Sequence, residues 1–216
     1  MSHDCPDHAT ERGTSSLVAI ELKRHMPFTA LGALTGIAIM AAFVAAKVSH
    51  ETSELFFEIA HPVHILLSTI VTTALFRRYR QSWLAAVAVG GLGSVVLCVL
   101  SDILLPYAGA VLLGAHVHFH LCLLEKEWWL VVLGAVVGVA IGLWRPGTRL
   151  PHAGHVFVST WASLFYLTAH GQTQWLPLLP AVFLLLFVAV WVPCCFSDIL
   201  FPLLVAGKRA ALEHHH

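Results

Sequence analysis

His61-Pro-Val-His64-Ile-Leu-Leu-Ser68 decides how this chain is read, because it puts two imidazoles and a hydroxyl on one face of an apolar segment and then recurs. The second copy is Pro151-His152-Ala-Gly-His155-Val-Phe-Val-Ser159. Residues i, i+3 and i+7 share a helix face, so His61, His64 and Ser68 project together, as do His152, His155 and Ser159. A second shared phrase follows each copy, Ser101-Asp102-Ile-Leu-Leu-Pro106 and then Ser197-Asp198-Ile-Leu-Phe-Pro202. A third precedes each: Leu31-Gly-Ala-Leu-Thr-Gly36-Ile-Ala-Ile39 and Leu133-Gly-Ala-Val-Val-Gly138-Val-Ala-Ile141. Three phrases in one order, at offsets of 102, 91 and 96 residues, argue that one unit is written twice.

The 216 residues are 58% hydrophobic and 11% charged, with a mean hydropathy of +0.80. Too little polar surface remains for a soluble globule, so the chain reads as an all-α integral membrane protein. Apolar runs at 27–46, 58–76, 82–106, 128–144, 152–170 and 175–205 are each long enough to cross about 30 Å of hydrocarbon at 1.5 Å per residue. They predict six transmembrane helices built as two inverted three-helix repeats.

Charge gives the orientation. Ten of the twelve Lys and Arg fall on one side of the six helices, and only Lys47 and Lys126 on the other, where Glu51, Glu54, Glu58, Glu125 and Glu127 accompany them. By the positive-inside bias both termini are cytoplasmic, in an inner or plasma membrane, and the acidic loops face outward. A three-helix unit followed directly by its copy must insert the copy upside down, which makes the repeat an inverted one.

The expected boundaries follow. Residues 1–20 form a flexible cytoplasmic tail with no cleaved signal, 21–107 the first repeat and 125–209 the second. Between them, 108–124 is too apolar for an ordinary loop and reads as an outer amphipathic or re-entrant connection carrying His116, His118 and His120. Residues 210–216, ending in His214, His215 and His216, read as a tag remnant. The Gly32-x3-Gly36 and Gly134-x3-Gly138-x3-Gly142 faces of helices 1 and 4 permit close backbone approach, between those two helices or across a homodimer. A net charge of zero gives no reason to expect a nucleic-acid partner; the bilayer and a metal ion are the expected ones.

In this arrangement His61, His64 and Asp102 gather near the outer face, and His152, His155 and Asp198 near the inner one. Two imidazoles one turn apart plus a carboxylate make a two-His, one-carboxylate set for a divalent transition metal, with zinc the default cofactor. The 102-residue offset also pairs His25 with Glu127, so Glu127 can join the outer set and His25 the inner. Asp102 and Asp198 are functional by default, because an ionisable group inside a membrane helix is costly without a partner. The five cysteines form no Cys-x-x-Cys pair, and Cys194-Cys195 reads as packing.

A zinc-like divalent cation transporter or carrier is the function these residues fit best, since inverted duplication suits alternating access. A proton-coupled transporter using His-Asp relays is one alternative and a zinc-dependent intramembrane hydrolase another. In residue types alone, Ser, Asp and His in a helical bundle, the chain resembles the alkaline-ceramidase and adiponectin-receptor superfamily, which implies a zinc-activated water. It departs from that superfamily in having HxxH twice and six helices, against one HxxxH and seven.

Overall fold

Ser49 starts the helix on which the centre is built. Its side-chain oxygen accepts the Thr52 backbone N–H at 3.1 Å, satisfying one of the otherwise orphaned donors of a helix start. The structure, a computed structural model, describes residues 7–122, 128–144, 149–171, 174–197, 201 and 205. Helix α2 runs 30 residues, His50–Tyr79. Hydropathy placed its start near residue 58 because the first two turns carry Glu51, Glu54 and Glu58; the Ser49 cap sets the true start. His64 consequently stands at the middle of α2, not near its outer end.

The other helices are α1 (Asp7–Ala45), α3 (Trp83–Leu112), α4 (Trp128–Trp144), α5 (Arg149–His170) and α6 (Leu179–Cys195), the last entered through a 3₁₀ turn at Leu176–Leu178. The backbone of 7–20, expected as a tail, continues α1. Within α3 two segments widen to π-helix, Ala88–Gly93 and Leu100–Leu104. After Leu112 the chain turns through Gly114, whose φ of +75° only glycine adopts without strain, and lies against the end of α5. There Val117 and Gly171 form an isolated bridge, and the His118 N–H donates to the His170 carbonyl at 2.9 Å. All other regular structure among the described residues is helical.

Among the described residues, four segments are long and apolar enough to cross a membrane: Met26–Ala45, His50–Arg78, Trp83–Leu112 and Leu176–Cys195. A fifth apolar helix, α4, has 17 residues. Polarity is distributed inside out. Leu34, Leu92, Val96, Val136 and Leu184 point outward, while Ser68, Thr69, Thr72, Ser94, Ser101, Asp102, Ser159 and Ser163 are buried. A bundle with hydrocarbon outside and hydroxyls within belongs in lipid, where polar side chains turn toward one another.

Helix α2 packs chiefly on α5 and α4, and α1 on α5 and α6. The glycines explain how closely. A Cβ at Gly134, Gly138 or Gly142 of α4 would stand 2.9, 2.7 or 2.8 Å from the carbonyl oxygens of Pro62, Leu66 and Ile70, one step of four residues at a time along both helices. On the other side Gly32 and Gly36 of α1 face Thr160 of α5, with corresponding distances of 3.0 and 3.5 Å. These faces, expected to bring helices 1 and 4 together or to meet across a homodimer, seat α1 on α5 and α4 on α2.

Candidate metal centre

The π-turn Leu100–Leu104 carries Ser101 and Asp102 into the interior, where both are fully buried. Five-residue turns of this kind re-aim side chains and recur at functional sites. The carboxylate meets four donors. His61 Nδ1–H and His64 Nδ1–H donate to Oδ2 at 2.8 and 2.7 Å, and the hydroxyls of Ser101 and Ser159 donate to Oδ1, each at 2.8 Å. Such a carboxylate has about four lone-pair sites, so Asp102 is saturated. His61, His64 and Asp102, expected as one ligand set, do lie together, but the aspartate spends its oxygens on ring N–H groups and hydroxyls.

That contact fixes the tautomers. With Nδ1 protonated, Nε2 of each imidazole keeps its lone pair. His61 Nε2 has no hydrogen-bond partner among the described residues, and its ring stacks on Phe57 with centroids 5.5 Å apart. His64 Nε2 lies 3.7 Å from Cys98 Sγ and 3.8 Å from Cys194 Sγ. The His64 ring stacks on His155 of α5 at 5.8 Å and 12°. His64, His155 and Cys194 are all buried and each offers a ligand atom within 4.8 Å of the others, so this group could hold a metal ion.

The donor set fits a transition metal. Imidazole nitrogen and thiolate sulfur are the usual ligands of zinc, and a ligating histidine commonly gives its other N–H to a carboxylate, as His64 does to Asp102. Of the expected ligands, His61, His64 and Asp102 are joined directly, and His155 meets this set at the α2–α5 contact. Glu127, Asp198 and the side chains of His25 and His152 lie outside the described residues. Cys194 was missed. Its signal was in the phrase Cys98-Val-Leu-Ser-Asp102, which returns as Cys194-Cys-Phe-Ser-Asp198 at the same 96-residue offset.

Hydroxyls surrounding the centre tie helices to one another. Ser68 Oγ lies 3.2 Å from Ser197 Oγ, and Thr72 Oγ1 donates to the Ser197 carbonyl at 3.2 Å. Correspondingly, Ser159 Oγ lies 3.4 Å from Ser101 Oγ, and Ser163 Oγ donates to the Ser101 carbonyl at 3.1 Å. These contacts join α2 and α5 to the segments that carry Ser197 and Ser101, whereas the buried hydroxyls of Thr69, Thr73 and Ser94 have no hydrogen-bond partner among the described residues.

Toward the His50 end, the His120 and His170 rings stack at 4.4 Å, and His50 Nδ1–H donates to the carbonyls of Thr168 and Ala169. Phe57 stands between this pair and the centre, edge-on to His120 at 6.1 Å and to His170 at 6.0 Å. A cavity of about 420 Å³ opens beside it, lined by Phe43, Lys47, His50, Ser53, Thr168 and Trp175 among others.

Comparison with known proteins brings no match to a family model, a curated protein or a solved structure.

Proposed function

We propose that this chain is a membrane-embedded carrier of a zinc-like transition-metal cation, held on His64, His155 and Cys194. The observation that carries the reading is the Asp102–His64 contact at 2.7 Å, which leaves His64 Nε2 turned toward Cys194. Asp102 raises the basicity of the ring and fixes its orientation, and His61 shares the same carboxylate. A bound metal would supply Lewis acidity and charge at the middle of the bundle, and the residues around it hold and shield that charge.

Inverted-repeat architecture belongs to the same proposal. Supporting it, Ser68 and Thr72 meet Ser197 in the way that Ser159 and Ser163 meet Ser101, and the matching residues, Ser68 with Ser159, Thr72 with Ser163 and Ser101 with Ser197, are separated by the offsets of their sequence phrases. His64 and His155 are equivalents too, and they stack on each other, as residues beside a two-fold axis would. A site at the join of two inverted halves, at mid-depth, is where alternating access needs its cargo. The hydroxyl contacts then belong to an occluded state, and either half must part from the other to open it. In the same proposal both termini are cytoplasmic, and the His50 end faces outward.

Hydrolysis by a zinc-activated water is less well supported, because a substrate must reach the metal and the three residues that would hold it are all buried. The test is metal content by mass spectrometry on tag-free protein, followed by zinc flux into liposomes. One tightly bound equivalent that His155→Ala removes, with flux lost in the same variant, supports the carrier. A folded wild type that binds no zinc overturns it, and binding without flux leaves a metal protein that does not transport.

A further inference from the structure

We propose that Cys98 is the fourth ligand of this centre, making it a two-cysteine, two-histidine site selective for thiophilic cations such as zinc, cadmium or copper(I) over magnesium, calcium or manganese. The inference rests on the metal reading above and deepens it.

Cys98 is buried on α3 in the turn before Asp102, and its Sγ approaches His64 Nε2 at 3.7 Å, as near as Cys194 does at 3.8 Å. The two thiols therefore lie against a ring nitrogen whose lone pair the Asp102 contact leaves available. Their places in sequence match: Cys98 and Cys194 each stand four residues before an Asp, 96 residues apart. His64 and His155 are likewise equivalents, 91 residues apart. The four donors are thus two equivalent pairs: His64, His155 and Cys194 lie within 4.8 Å of one another, Cys98 stands just outside that group against His64, and a tetrahedral ion on the axis that relates the halves would draw its thiolate in, taking one imidazole and one thiolate from each.

Four protein ligands of this kind form the closed tetrahedral set that zinc accepts. Thiolates exclude hard oxygen-seeking cations, which is what sets the class of ion. Binding a divalent cation here releases one proton from each thiol, and both imidazoles enter neutral. With both thiols deprotonated and Asp102 ionised, one negative charge remains, and the four hydrogen-bond donors around the Asp102 carboxylate disperse it.

The experiment uses full-length, tag-free protein with cobalt(II) as an optical probe. Wild type should show tetrahedral ligand-field bands with sulfur-to-cobalt charge-transfer absorption, and Cys98→Ala should lose about half of that absorption, because one of two thiolates is gone. Cys98→Ser serves where the alanine variant folds poorly. A third readout needs no variant: zinc should protect Cys98 and Cys194 equally from alkylation, read by peptide mass spectrometry. Full charge-transfer intensity in the Cys98 variants, or protection of Cys194 alone, overturns the proposal while leaving the three-residue centre intact. Cobalt binding with no charge transfer in wild type overturns both.

Discussion

Ser197 Oγ lies 3.2 Å from Ser68 Oγ, although 129 residues separate the two in sequence. The equivalent contact joins Ser159 to Ser101 at 3.4 Å, but Ser159 also donates to Asp102 at 2.8 Å. The two serines at matching positions should therefore differ in effect. Ser159→Ala is expected to weaken zinc binding by about 10-fold, within the range seen when a group supporting a metal ligand is lost, whereas Ser68→Ala leaves affinity unchanged. Competition titration against a chromophoric chelator measures both, and equal effects would contradict the assignment.

Asp102→Asn tests the organising carboxylate. The amide offers one oxygen and brings two N–H donors of its own, so it cannot accept from two imidazoles and two hydroxyls together. Zinc affinity should fall about 10- to 100-fold, and the thermal midpoint of the metal-free protein should fall too, because buried donors lose their acceptor. An unchanged affinity would mean that Asp102 does not orient His64.

Two glycines on equivalent faces make a graded stability test. A methyl at Gly138 would stand 2.7 Å from the Leu66 carbonyl oxygen, against backbone that cannot yield, whereas at Gly36 the nearest atom is 3.5 Å away on a threonine side chain. Gly138→Ala is expected to cost about 1–3 kcal/mol, the usual range for overpacking, and Gly36→Ala little. Thermal unfolding in detergent ranks them, and the reverse order would contradict the α2–α4 packing.

Acidification should release the metal. Ligating imidazoles must be neutral and ligating thiols deprotonated, so protons compete with the cation at every donor. Occupancy of the wild type is expected to fall as pH is lowered and to return when it is raised again. Dialysis at stepped pH followed by metal analysis checks this, and a site that keeps its metal in acid would argue against histidine ligation.

Much of the centre was legible before the fold was known. The i, i+3 spacing of His61 and His64 and the cost of an aspartate in a membrane helix put those three residues together, and the structure joins them. Depth was not legible, because hydropathy registers the glutamates in the first two turns of α2 but not the Ser49 cap that makes them helical. Nor was the meeting of His155 with His64, which depends on how α2 crosses α5, a property of two surfaces and not of either strand of sequence. Cys98 and Cys194 were readable in principle, since they share the offset of Asp102 and Asp198, yet each looks like an ordinary apolar core residue until the other is set beside it.

Phe57 packs against His61 on one side and against the stacked His120 and His170 on the other, with the Tyr166 ring beside it at 5.5 Å. Hydrocarbon neither donates nor accepts a proton, so the phenyl ring itself offers no step between the His120–His170 pair and His61. A hydrocarbon ring thus divides the buried histidines into two groups, one that meets Asp102 and one at the His50 end.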